Sequence, residues 1–247
     1  MAILIGSLLI SMIPSLLIYF WFSRMYKGDK DHTKTCRKLF GKGVLCVFGV
    51  LGLDLIFSIL WNKTGLSGKY EIIDNLFRCF IINAFVEELV KLLNARSVIK
   101  KRMDSVSWLS MTMYTSIVAI GFGLAEDVVY AFSTSPGQIL IRGITAGHVA
   151  YALITGYFLG KGYKYGEKKY KVIGTVLPWL LHGLYNFGLS ENTALGEDLA
   201  AVFGILSVLI AVGGAIFIIV MLLKIKKWKD DPVYTEPFPL SQKGEKA

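Results

Sequence analysis

Seven apolar runs long enough to cross a bilayer alternate with polar, mostly basic loops. They fall near Ile3–Phe22, Val44–Trp61, Leu76–Ile99, Val106–Phe132, Gln138–Gly160, Val172–Leu189 and Leu199–Leu223. This pattern predicts an all-α, polytopic membrane protein with about seven transmembrane helices. Little chain remains for a soluble domain. The expected organisation is a membrane domain over residues 1–227, with a catalytic core at about 76–189, followed by a disordered cytoplasmic tail at 228–247. The first run lacks a basic leader and a small-residue cleavage site before Arg24, so it reads as a retained span and not a cleaved signal peptide.

Composition agrees with the pattern. The 247 residues are 54% hydrophobic, with mean hydropathy +0.54, richer in apolar residues than soluble domains. The net charge of +9 is a topology signal. The loops around Arg24–Lys42, Arg96–Arg102 and Lys161–Lys171, with the tail from Lys224, hold most of the 27 basic residues. The intervening side has only Lys63, Lys69, Arg78 and Arg142. The positive-inside rule then puts the N-terminus outside and the C-terminus in the cytoplasm. Basic residues spread over four segments facing anionic lipid do not make a nucleic-acid site. Cys36, Cys46 and Cys79 are too scattered for a disulfide framework or a zinc cluster.

The chemistry lies in the polar residues that interrupt the spans. Ionisable groups at mid-membrane cost about 2.5–3.5 kcal/mol each to insert and mark function. On a helix at ~100° per residue, Asn83, Glu87, Lys91 and Asn94 share a face. Glu87 and Lys91 have the i,i+4 spacing of an ion pair; Glu88 lies about 100° away and reaches Lys91 only at i+3. Phe122, Glu126 and Tyr130 share a face of the fourth span, beside Gly121 and Gly123, which permit close backbone approach. Asp127 lies near the outer end, where it can simply meet headgroups. His148 sits in the fifth span between two small-xxx-small pairs, Gly143/Gly147 and Gly156/Gly160. His182 and Asn186 form an i,i+4 donor pair suited to an oxyanion, four residues after a kink expected at Pro178. Asp54 is read as structural or as a partner for a polar group on another helix, and Asn83, Asn94 and Thr115 as interhelical hydrogen-bonders. At ~1.5 Å per residue, Glu87 and His148 lie about 15–20 Å below the outer face. Polar residues of four spans thus converge in the mid-to-outer half, where water and substrate can enter from outside.

Glu87-Glu88-Leu-Val-Lys91 is similar to the EExxK motif of PrsW-type intramembrane proteases. Phe122-Gly-Leu-Ala-Glu126 resembles their second motif, and His148 and His182-Gly-Leu-Tyr-Asn186 fit the two later histidine-bearing spans. The wider superfamily includes the CAAX prenyl endopeptidases and bacterial immunity-type relatives, which carry EExxxR, FxxxH and HxxxN or HxxxD. Here Lys91 comes one residue before the superfamily Arg, and Glu126 stands where the CAAX enzymes have His, which points to the PrsW branch. The resemblance implies a bacterial cell-membrane protease making the first cut, near the extracytoplasmic end, in a single-span anti-sigma factor.

The expected mechanism is glutamic and needs no cofactor. Glu87 is the general base paired with Lys91. Glu88 positions the site or shares a proton, and Glu126 holds or activates the water. His182 and Asn186 stabilise the oxyanion, and His148 is a further water or substrate ligand. A membrane metalloprotease is the alternative, since Glu and His from several helices can bind zinc. Against it, no HExxH is present and Lys91 would compete with a cation. A transporter or non-catalytic immunity protein is the reading from another class, but no inverted repeat is visible.

The loop charges predict that a cysteine placed within Lys161–Lys171 reacts with an impermeant maleimide only from the cytoplasmic side, and one at the N-terminus only from outside. A cytoplasmic N-terminus would overturn both the topology and the depth reading.

Overall fold

The computed structural model describes residues 2–26, 28–190 and 193–238. It is helical throughout, with a single isolated β-bridge, Ser107 to Pro237, among the described residues. In chain order the elements are α1 (Ala2–Ser23), α2 (Lys30–Lys63), α3 (Glu71–Leu76), a π-helical stretch (Phe77–Phe85), α4 (Val86–Ile99), a 3-10 turn (Lys100–Arg102), α5 (Trp108–Tyr130), α6 (Pro136–Thr145), α7 (Gly147–Tyr165), α8 (Lys168–Leu189), a 3-10 turn (Thr193–Leu195), α9 (Glu197–Trp228) and α10 (Pro232–Thr235).

Among the described residues six helical segments are long and apolar enough to cross a membrane, with α6 and α7 taken together as Pro136–Tyr165. The remaining expected span, Leu76–Ile99, is helical along its length but built from α3, the π stretch and α4. Arg78, Glu87, Glu88, Lys91 and Arg96 make it too polar to qualify on composition.

α5 is the axis of the bundle, and nearly all of its length is buried. Sequence explains why it can be. Gly121 of α5 lies on the Phe40 carbonyl of α2, and Gly43 of α2 lies on the Val118 carbonyl of α5, so the two backbones touch where they cross. Gly156 of α7 meets the Thr112 backbone, and the Thr115 hydroxyl donates to the Ala152 carbonyl at 3.1 Å. Gly143 of α6 rests on Ser11 of α1. Gly147, by contrast, has no interhelical neighbour within reach. α1, α2 and α9 are peripheral and expose Leu9, Leu17, Phe48, Leu55, Ile205 and Ile216 to the lipid side.

α2 has 34 residues, about 51 Å, so its basic first third extends beyond a hydrocarbon core of ~30 Å. The Asp29 side chain caps it, accepting from the amides of Asp31 and His32. The four basic segments gather at one end of the bundle. Arg102 pairs with Asp31, Lys164 with Glu236 at 3.7 Å, and the Phe238 amide donates to the Val106 carbonyl at 3.1 Å. The opposite end is tied by Arg78 to Asp74 at 3.1 Å and by the Thr193 hydroxyl to Glu71 at 2.7 Å.

Residues 228–238, the first part of the polar tail, fold back on the bundle. Trp228 stacks on Tyr234 with centroids 4.3 Å apart, Tyr234 packs on Trp108, and Phe238 is buried. Aromatic area removed from water outweighs the polar composition of this stretch. Residues 239–247 lie outside the described part.

A side chain added at Gly121 must push two backbones apart. Gly121→Ala is expected to destabilise the bundle by about 1–3 kcal/mol, seen as a lowered detergent melting temperature. Gly6→Ala, with open space around it, is the matched control and should leave the melt unchanged.

Candidate active site

Five helices deliver the buried polar groups: α4 (Glu87, Glu88, Lys91), α5 (Glu126, Asp127), α6 (Arg142), α7 (His148) and α8 (His182, Asn186). Local irregularity places them. The π stretch ends two residues before Glu87, and the Phe80 carbonyl within it accepts the Trp179 indole N–H at 2.6 Å. That bond fixes the π stretch against α8 three residues before His182. π insertions are commonly found at functional sites.

The fifth expected span is not one helix. It turns at Ala146, which holds φ 45° and ψ 44°. A left-handed backbone at a residue with a Cβ costs about 1–2 kcal/mol. The turn sends Arg142 back toward α5 while His148, two residues later, enters the bundle.

The groups form one chain of contacts. His182 Nδ1 donates to Glu88 Oε1 at 2.9 Å. Lys91 Nζ donates to the same oxygen at 2.6 Å and to His148 Nδ1 at 3.1 Å. His148 Nε2 lies 2.6 Å from Glu126 Oε2, which also accepts from Arg142 Nη2 at 2.7 Å. Arg142 Nε reaches Asp127 Oδ1 at 3.5 Å. The partners set the histidine tautomers. His148 accepts at Nδ1 and donates at Nε2. His182 donates at Nδ1 and leaves Nε2 as an acceptor.

Glu87 stands apart. Its Oε2 is buried, has no hydrogen-bond partner among the described residues, and faces His182 Nε2 at 3.8 Å. Beside it is a cavity of about 60 Å³, lined also by Glu126, His148, Tyr185 and Asn186, with room for water. Glu87, His148 and His182 can each bring one ligand atom within 4.8 Å of the others. Aromatic rings wall the site: Tyr151 stacks on His182 at 5.0 Å, and Phe122 meets His148 edge-on at 5.1 Å beneath Lys91.

All seven sequence-selected residues, Glu87, Glu88, Lys91, Glu126, His148, His182 and Asn186, fall in or directly behind this cavity. The expected Glu87–Lys91 pair is replaced by Glu88–Lys91. Both spacings are within a lysine's reach, and His182 and His148 on other helices decide the matter by fixing where the carboxylate and the ammonium sit. Asp127 is buried and paired with Arg142. Arg142 itself went unrecognised as a site residue, although a lone arginine inside an apolar run is the kind of signal that marks one.

A membrane bundle that collects carboxylates and histidines around a buried, water-sized cavity defines an intramembrane hydrolase. The family model described as PrsW family intramembrane metalloprotease matches residues 34–221. The chain therefore belongs to the PrsW family, and it is an intramembrane protease. A Protease PrsW of Clostridioides difficile is 27% identical over 189 residues, covering 72% of this chain and 77% of the relative. The Protease PrsW of Oceanobacillus iheyensis is 26% identical over 153 residues, 59% of this chain and 71% of the relative. That of Bacillus subtilis is 24% identical over 181 residues, 71% and 78% respectively. No solved structure matches the chain.

Removing Arg142 leaves two buried carboxylates without their cation. Arg142→Gln is expected to cost about 3 kcal/mol, read as a fall in melting temperature. Adding Asp127→Asn should recover part of the loss; no recovery would show that Arg142 acts by packing and not by charge.

Proposed function

We propose that the chain is a glutamic-type endopeptidase that cuts a single-span membrane protein near its extracytoplasmic end, in the manner of first-site cleavage of an anti-sigma factor. One observation carries the mechanism: the buried, unpartnered Glu87 Oε2 facing the acceptor nitrogen of His182 at 3.8 Å beside a water-sized cavity. Among the site carboxylates with Glu88 and Glu126, it is the one not already engaged by a cation.

In this reading a water donates one proton to Glu87 and its oxygen attacks the scissile carbonyl. The carbonyl electron pair moves onto oxygen, where the Asn186 amide donates to it. Collapse breaks the C–N bond, and the proton held by Glu87 passes to the leaving amine. Glu88 acts through His182, whose Nδ1–H it holds, keeping Nε2 turned toward the water. Glu126 holds His148 Nε2–H, and with Lys91 on Nδ1 it fixes the His148 ring against the cavity. Lys91 contributes fixed positive charge between them. The motif resemblance supports the anti-sigma substrate, and the loop charges support a site reached from outside. Amides inside a lipid-embedded helix are protected by their own hydrogen bonds, so the cut should fall at the outermost turn.

A second reading has its own support. Glu87, His148 and His182 form a candidate ligand set. Each histidine has a ring nitrogen held by a carboxylate, as metal-bound histidines do, and the lone Glu87 oxygen is a suitable donor. Lys91 Nζ sits on His148 Nδ1, so the ammonium stands where one ligand lone pair points. A divalent cation held by these three residues would supply Lewis-acid polarisation of the water.

One experiment separates the readings. The purified chain, reconstituted with a single-span substrate, is assayed after extensive chelation and metal analysis. The glutamic reading expects full cleavage without bound metal, and at least a thousandfold loss in a stably folded Glu87→Gln protein. Loss on chelation with recovery on adding zinc establishes the metal reading. Normal cleavage by Glu87→Gln refutes both.

A further inference from the structure

Away from the catalytic cavity, the basic end of the bundle holds a recess of about 270 Å³ between α4, α5, α7 and α8. Its rim carries Arg96, Lys100 and Lys171, from α4, the following 3-10 turn and α8. Its inner wall is apolar, with Leu92, Met103 and Leu159. Topology alone does not require this arrangement. Orienting a membrane protein needs positive loops, not three cations from three elements converging on one concave surface.

The recess continues. Leu92 and Thr175 also line a second cavity of about 130 Å³ that runs between α4 and α8 past Trp179 to Glu88. From Lys100 to Leu89 along the helix is about 16 Å, close to half the ~30 Å hydrocarbon thickness of a bilayer. The flanks, Leu93, Val172 and Leu177, are exposed and apolar, so bilayer lipid reaches the groove directly. Its far end meets Glu88, which does not line the catalytic cavity.

We propose that this groove is a binding site for an anionic phospholipid, its phosphate on Arg96, Lys100 and Lys171 and one acyl chain along α4 and α8. The charge at one end selects a phosphate, and the apolar extension selects a lipid over a free anion or a phosphorylated peptide. Basic pockets between transmembrane helices are the usual form of such sites. The bound chain would cover the side of Glu88 turned away from the catalytic water, closing the back of the site. The proposal does not depend on which catalytic mechanism operates.

The test uses the full chain in a nonionic maltoside, with dioleoylphosphatidylglycerol, dioleoylphosphatidylcholine and inorganic phosphate as ligands, read by native mass spectrometry. Phosphatidylglycerol should bind at least tenfold more tightly than phosphatidylcholine, and millimolar phosphate should not displace it. The triple Arg96→Gln, Lys100→Gln, Lys171→Gln variant should weaken it about a hundredfold, at roughly fivefold per basic residue. Thr175→Trp fills the groove with every cation retained, and it should weaken binding as strongly; if the triple variant fails to fold, this one decides. Lys226→Gln with Lys227→Gln, exposed at the same end on α9, should change nothing. Equal binding of both lipids, displacement by phosphate, or unchanged binding in Thr175→Trp would each overturn the proposal.

Discussion

Burying charge in an apolar bundle is the constraint from which the rest of this structure follows. An isolated ion inside a membrane protein is too costly to keep, so each must meet a counter-charge or a donor. Here the requirement is met in series. His182 is tied to Glu88, Glu88 to Lys91, Lys91 to His148, His148 to Glu126, and Glu126 with Asp127 to Arg142. Because the links join five helices, removing one member exposes its neighbours, and the same bonds that satisfy the charges also register the helices. Among the described residues of the site, Glu87 Oε2 stands outside the series. Its cost must be met by the stability of the remainder, which is how a buried carboxylate oxygen can be kept without a partner.

The backbone bends to serve this network. The π stretch before Glu87 and the left-handed Ala146 before His148 are both departures from regular helix. Both fall within two residues of a site residue. Strain of this kind persists only where surrounding packing over-determines it. Here α5 supplies the packing, with glycine contacts on α2 and α7 that no larger residue would allow. The rigid axis lies at the centre, and the irregular segments carry the chemistry around it.

Membership of the PrsW family gives the activity, and the geometry narrows how the residues can share it. Two histidines, each oriented by its own carboxylate, flank one free carboxylate oxygen. That arrangement suits a general-base mechanism and a metal-assisted one almost equally, differing in whether Lys91 or a divalent cation provides the positive charge. On the α4–α8 side, the apolar groove with its basic rim ties the catalytic network to the surrounding lipid through Glu88.

The sequence by itself determined the membrane class, the approximate span positions and which polar groups interrupt the apolar runs. Those are one-dimensional properties: run length, composition, helical spacing and the cost of charge in lipid. The close-approach role of Gly121 was legible for the same reason. What only the tertiary structure decided is pairing. Glu87 and Glu88 are neighbours in the chain and look alike at their spacings to Lys91. Which of them binds it depends on His182 and His148, ninety-four and sixty positions or so away in chain terms for Glu88 and anchored on separate helices. The partners of Arg142 were hidden because it finds Glu126 and Asp127 only after the chain turns at Ala146. The order of residues 228–238 was hidden too, since Trp108, which buries them, lies far back in sequence. Spacing along a helix constrains a side chain's direction, but a buried ion's partner is set by whichever opposite charge the fold brings within about 3 Å.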